Sequence, residues 1–458
     1  MAADRPSPGP ASSSRLVGAP LVPTMLRLAV PGVIGALIQS AQMMVEAGFL
    51  RHVGTDALAA VAVVFPLVML AGMFSAGAMG GAVAGATARA LGAGDSGRAS
   101  AVLAAAFVLA LLAGCTMSVL VIGFGPALYA WAGTDPRIAA ASTTYAAVVF
   151  AGMPMLWMSN MLSSVLRGSG DMLRPAGVMA VTLASYALYA RWLIPGAGAP
   201  LHEAMRAAGL AMVLAYLSAL LVAVGFVLRP AQPVRPRRHS FRKAVFGAVL
   251  RQGSLASTQS LMTVAYALVA TALFSRQGTD WLAGYGLAVR LELLMVPVIF
   301  GVGSSLIAIV GAHVGAGLRA RAVSIAWRGV LFNALMIGAV GLLFAIQPGW
   351  WCDTLASTSA VAADCRTSLR VIGPTYGFFA LGLGIYFASQ GLNTLPYPVT
   401  GALLRLLIVA GGLLWAGAST PPQHLLWLVA SAVVAYGAFV AIALRLGPWR
   451  PEPRAKAR

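Results

Sequence analysis

The sequence predicts an all-α polytopic membrane protein, with about twelve transmembrane helices in two six-helix lobes. Three observations predict it. Hydrophobic residues make up 59% of the 458 positions and charged residues only 9%, with a mean hydropathy of +0.85. A water-soluble chain of this length could not hide so much apolar surface. The apolar residues fall in runs of roughly 20, the length a helix needs to cross the hydrocarbon core. Finally, blocks of sequence from the first half return in the second, in the same order.

The runs centre near residues 38, 68, 112, 155, 185, 217, 262, 296, 336, 379, 408 and 435. A closed β-barrel, the other way to satisfy backbone groups in lipid, would read as short alternating segments, and none is present. Residues 1–24 are Pro/Ser-rich, carry Asp4 and lack a basic-then-apolar leader, so a disordered cytoplasmic tail is expected there. Pro31, Pro66, Pro154, Pro297 and Pro374 sit inside spans, where they permit bends or exposed backbone along a cavity. The net charge of +19 raises the question of nucleic-acid binding, but its placement answers it. Arg and Lys gather at Arg89 and Arg98, Arg167 and Arg174, Arg229 to Lys243, Arg319 and Arg321, and in the C-terminal tail. The intervening loops hold only scattered basic residues such as Arg51, Arg137, Arg206, Arg276 and Arg366. Alternation of this kind sets membrane topology and puts both termini in the cytoplasm, with lipids and a small solute rather than nucleic acid as partners.

The repeat is specific. "HVGTDALAAVAVVF" from His52 returns as "RQGTDWLAGYGLAV" from Arg276, offset by 224. "LGAGDSGRA" from Leu91 returns as "VGAGLRARA" from Val314, and "LRGSGD" from Leu166 faces "SQGLNT" from Ser389, both offset by 223. Each copy spans six helices, an even number, so the copies are expected to be related by a pseudo-twofold axis along the membrane normal. The predicted organisation is a tail (1–24), a first lobe (25–229), a basic cytoplasmic linker (230–246), a second lobe (247–446) and a C-terminal tail (447–458). Two lobes with bendable helices describe a secondary transporter, and no Walker-type phosphate loop suggests ATP drive.

Of the twelve acidic residues, only Glu46 and Glu292 lie well inside spans. An ionisable group there is expensive, should face the bundle interior and is a functional candidate. Burial favours the neutral form of a carboxyl, which suits a group that takes up and releases a proton. Gln39, Gln42 and Glu46 share one helical face, expected to look inward. The alternative is a carboxyl that only bonds its neighbours or reaches toward Arg51. Packing or pairing within the lobe is equally open for Glu292, which is two residues from Arg290 and so cannot face it on a helix. Asn160, Ser164, Tyr189, Thr263, Tyr266 and Arg290 are candidates for lining a cavity, or alone for interhelical hydrogen bonds. His313, at the end of the eighth span, reads as structural. Cys352 and Cys365 share one loop on the side opposite the basic loops; their spacing permits a disulfide without specifying one. Cys115 reads as packing, and no Cys/His cluster has metal-ligand spacing.

"VGTDALAAVAVVFP", "ARALGAGDSGRA", "LRGSGDMLRPA", "GTDWLAGYGLAVRLELL" and "GAHVGAGLRARA" together resemble the multidrug and toxic compound extrusion (MATE) transporters, over roughly residues 25 to 446. Within them the chain looks more like the bacterial DinF-like branch, because a NorM-like glutamate would fall near Thr263. The resemblance implies export of small organic molecules, often cations, by alternating access, in exchange for protons or sodium ions, with no other cofactor and no catalysis. It implies a multi-pass monomer in the cytoplasmic membrane, and the excess of Arg over Lys fits a GC-rich bacterium. It also places Glu46 where the family carries a first-span aspartate. The family's fifth-span acid is missing: Ser185 and Tyr189 stand at those places, and a tyrosine supplies no charge near neutral pH. A sodium site wants several oxygen ligands, so the remaining single carboxyl favours a proton. The intramembrane arginines Arg191, Arg290 and Arg405 point to a less cationic cargo and keep open a second reading, a lipid or lipid-linked saccharide flippase of the same wider superfamily. A membrane-embedded enzyme would need a catalytic set near Glu46, and neither its own span nor the next holds a histidine.

Overall fold

The computed structural model describes residues 16–450 except 19, 132, 197, 231, 238, 239, 418 and 419. Its helices are α1 (Leu21–Leu50), α2 (Thr55–Gly72), a π turn (Met73–Met79), α3 (Gly80–Gly92), α4 (Ser96–Trp131), α5 (Pro136–Ala151), α6 (Met153–Gly168), α7 (Leu173–Leu193) and α8 (Leu201–Val227). They continue with α9 (Lys243–Ser275), α10 (Thr279–Gly315), α11 (Arg319–Ile346), α12 (Gly349–Leu355), α13 (Ser359–Ile372), α14 (Tyr376–Leu392), α15 (Pro396–Trp415) and α16 (Pro422–Leu446). No strand occurs among the described residues.

Ten helical runs are long and apolar enough to cross a membrane, and the pair α5–α6, bent by 46°, makes an eleventh. The expected fifth span, α7, is 21 residues long but is not among them. Arg174, Ser185, Tyr186, Tyr189 and Arg191 dilute its apolar content. The fourth and tenth spans break at prolines: Pro154 opens α6, and Pro374 lies in the 3-10 turn Gly373–Thr375 between α13 and α14.

The chain forms two compact units, one built on Ile34–Gly253 and the other on Pro20–Val33 with the chain from Ser254 onward. Within the first, α7 packs most extensively on α8, α4 on α6, and α3 on α6. Within the second, α15 packs on α16, α11 on α14, and α10 on α14, so the same helix pairs recur. The repeated motifs are the turns that make this possible. Gly54 and Gly278 have φ of 143° and 106°, Gly94 and Gly317 have 70° and 77°, and Gly170 pairs with Asn393 at 84° and 60°. These are left-handed positions that end one helix and aim the next, which only glycine or asparagine enters readily. In the first unit the following aspartates then cap: Asp95 Oδ1 accepts from the Arg98 N–H at 2.7 Å, and Asp171 Oδ1 from the Arg174 N–H at 3.1 Å. Leu318 and Thr394 replace them in the second copy.

Small residues bring backbones together where lipid offers no hydrophobic drive. A Cβ on Gly168 would overlap the carbonyl of Ala84, and one on Gly391 would sit 3.2 Å from that of Ile307. Both members of this pair are offset by 223.

The ends differ from expectation. Residues 16–18 are helical and α1 starts at Leu21, so part of the expected 1–24 tail is helix, and its residues 1–15 lie outside the described ones. The linker expected to run to 246 gives way to α9 at Lys243. In the expected C-terminal tail, Trp449 is fully buried, donates Nε1–H to Thr394 Oγ1 at 3.0 Å and meets Trp327 edge-on. An indole that is covered and hydrogen-bonded does not leave the surface free. Residues 451–458 lie outside the described ones. Cys352 and Cys365 form a disulfide joining α12 to α13, and Cys115 is a free thiol.

Two outcomes follow. Gly168→Ala lowers the melting temperature in detergent by the equivalent of about 1–3 kcal/mol of overpacking, Gly391→Ala by less, and Gly123→Ala, where nothing lies within 4 Å, not at all. Alkylation of SDS-denatured protein, read by intact mass, adds one label before reduction and three after it.

Candidate functional site

Four helices of the first unit meet around Glu46. The residue lies on α1 and is only 8% exposed. The Tyr145 hydroxyl on α5 donates a hydrogen bond to Glu46 Oε1. Tyr186 on α7 and Tyr216 on α8 are buried within electrostatic reach of the same carboxyl. A carboxyl taken out of water needs such hydrogen-bonding company, since an unpartnered one would carry the full desolvation cost.

Local sequence explains how Tyr145 is aimed. Asp135 caps α5, accepting from the Arg137 N–H at 2.9 Å, and Pro136 occupies the first helical position. Ser142 Oγ then donates to the Ala60 carbonyl of α2 at 3.1 Å in a buried contact. Tyr145 is three residues further on, on the same face as this anchor. Tyr186 reaches the site because α7 is held along α8, where the Tyr189 hydroxyl lies 3.2 Å from Ser218 Oγ.

Other predicted residues fall out as follows. Gln42 is half-buried and its Nε2 donates to Met212 Sδ at 3.0 Å, while Gln39 is exposed. Glu46 is buried, Gln42 also contacts α8 through Met212, and Gln39 is the exposed member of the three. Arg51 is exposed and donates to the ring of His52 at 3.3 Å, so it is not the partner of Glu46. Asn160 donates to Ser75 Oγ at 2.8 Å, Ser164 donates to the Asn160 carbonyl at 2.7 Å, and Arg167 donates to Ser164 Oγ at 2.6 Å. Arg167 also reaches the Ala76 carbonyl at 3.4 Å, inside the π turn. A π turn frees carbonyls from the helical ladder, and this face of α6 packs against them.

The second unit holds a different cluster. Arg405 on α15 is 2% exposed, with its guanidinium 4.0 Å from the Tyr266 ring centroid and 5.1 Å from that of Tyr436. Gln259 Nε2 donates to the Tyr436 hydroxyl at 2.9 Å, and Thr263 donates within α9 to the Gln259 carbonyl. Glu292, partly buried on α10, acts electrostatically on Arg405, Tyr266, Tyr285 and Tyr376. Arg290 is exposed and takes no part in this cluster among the described residues. Its two-residue offset from the inward-facing Glu292 turns it the other way around α10. His313 is buried and bonds through Nδ1 to the Ile309 carbonyl at 2.8 Å.

Sequence reasoning missed Tyr145, Tyr186 and Tyr216. The signal that could have found them is a tyrosine inside an otherwise apolar span, which needs a partner for its hydroxyl.

The chain as a whole has known relatives. A family model described as MatE matches the chain twice, over residues 31–192 and 256–410. A protein of Shewanella oneidensis named FAD transporter is 24% identical over 403 residues, covering 85% of this chain and 86% of its own length. A Bradyrhizobium diazoefficiens protein named probable multidrug resistance protein NorM is 26% identical over 414 residues, covering 85% of both. The solved structure of a MATE protein in the bent conformation superposes with a TM-score of 0.86 at 19% identity, covering 96% of this chain and 97% of that one.

The Glu46–Tyr145 pair makes a testable claim. Tyr145→Phe and Glu46→Gln, singly and together, form a thermal-unfolding cycle with a coupling energy of about 0.5–3 kcal/mol. Strictly additive effects would mean that the hydrogen bond does not couple the two residues.

Proposed function

The chain belongs to the MatE family, membrane transporters rather than enzymes, and on that premise we propose a secondary antiporter that exports small organic molecules in exchange for protons by alternating access. The observation that carries the coupling assignment is the buried Glu46 carboxyl, hydrogen-bonded by Tyr145 and surrounded by further tyrosines. Glu46 is the group that takes up the proton on one side and releases it on the other. A proton needs one base, whereas sodium wants several oxygen ligands, and among the described residues Glu46 and Glu292 are the acids well inside spans. Glu46 carries the exchange, and Glu292 tunes the second unit.

The protein is a multi-pass protein of a bacterial cytoplasmic membrane, active as a monomer, with both termini in the cytoplasm, as the alternation of basic loops indicates. The two matched relatives bear names of different breadth, one a multidrug resistance protein and one a transporter of FAD. A small organic solute is the cargo class common to both.

The test is efflux of a cationic dye, ethidium, from vesicles holding wild type or Glu46→Gln. Efflux driven by a pH gradient, insensitive to a sodium gradient and abolished in the variant, is the expected outcome. Equal pH-driven efflux by both proteins would contradict the role of Glu46.

A further inference from the structure

Arg405 is a charge that the second unit buries without neutralising. It sits at the middle of α15 and is 2% exposed, yet it donates no hydrogen bond and forms no ion pair among the described residues. Tyr266 and Tyr436 lie against its guanidinium at 4.0 and 5.1 Å, a cation–π contact that offsets part of its desolvation. That falls well short of the cost of removing an ion from water. The ring contacts give the guanidinium no hydrogen-bond acceptor, and its Nε is buried without one. Glu292 is within electrostatic reach but does not pair with it. The Gln259 side-chain oxygen, bonded through its other end to Tyr436, is likewise buried without a donor.

We propose that Arg405 is an oxyanion subsite, which takes the carboxylate or phosphate of an organic anion carried as cargo. The fork of N–H donors on guanidinium matches both groups bidentately, and Tyr266 and Tyr436 flank it. The subsite is at mid-span, where transporters hold cargo. Gln259 accepts from a hydroxyl or amide on the same molecule. The inference rests on the exporter reading and adds molecules bearing an oxyanion to its cargo.

Purified full-length protein in detergent is titrated with benzoate, phenyl phosphate and the neutral isosteres benzamide and phenol, following intrinsic tryptophan fluorescence. Wild type is expected to bind at least one anion roughly tenfold or more tightly than its isostere. Preference for benzoate alone assigns a carboxylate cargo, and for phenyl phosphate alone a phosphate cargo. Arg405→Gln removes the preference, and Arg405→Lys, which keeps the charge but not the fork, restores it in part. Wild type that binds anions and isosteres alike overturns the proposal, as does Arg405→Gln with an undiminished preference. The wild-type comparison needs no variant to fold. Ethidium efflux by the same wild-type protein reconstituted into vesicles reports separately on the exporter reading: if efflux is present and the anion preference absent, the oxyanion subsite alone has failed.

Discussion

A carboxyl group inside a membrane bundle must be neutral or closely partnered, and the architecture of the first unit follows from that constraint. Glu46 could not sit on α1 without donors around it. The donor, Tyr145, is separated from it by 99 residues, and the other buried tyrosines near it, Tyr186 and Tyr216, come from still further along the chain. Holding them in register requires the capped start of α5, the Ser142 anchor on α2 and the extended contact of α7 with α8. The polar site therefore depends on apolar packing, and that packing depends on glycines such as Gly168, which let helices approach to backbone contact.

The second unit shares the scaffold but not the chemistry. Its turns occupy the same left-handed positions and its helices pair in the same way. Where the first unit buries an acid among hydroxyls, the second buries a cation against aromatic rings. Duplication preserved what positions side chains, the turn glycines and close contacts, and left the side chains free to diverge.

The sequence made the scaffold legible because its signals are local. Glycine in the repeated turns marks left-handed backbone, and apolar runs mark spans. Glu46 stood out because charge is so costly in such a run. Tyr145, Tyr186 and Tyr216 did not stand out, since each is an ordinary residue until tertiary structure brings it to the acid. Asn160 and Ser164 show the converse: they look like cavity residues, yet Asn160 bonds to Ser75 Oγ in the π turn and Ser164 to the Asn160 carbonyl, while Arg167 reaches a π-turn carbonyl that no pattern announced. Trp449 lay in a polar stretch that read as tail, and only its contacts with Thr394 and Trp327 show it to be part of the packing. Arg405 was visible as an intramembrane charge and Tyr266 as a polar residue in a span; that the two meet, together with Tyr436, was not.

The central claim is that Glu46 changes protonation as the protein works. Infrared difference spectra of the protein in lipid, recorded while pH is stepped, observe that carboxyl directly. A protonated-carboxyl C=O band that rises with falling pH in wild type, shifts in Tyr145→Phe and is missing in Glu46→Gln is the predicted result. A band of equal size in wild type and Glu46→Gln would contradict it and assign the titrating group elsewhere.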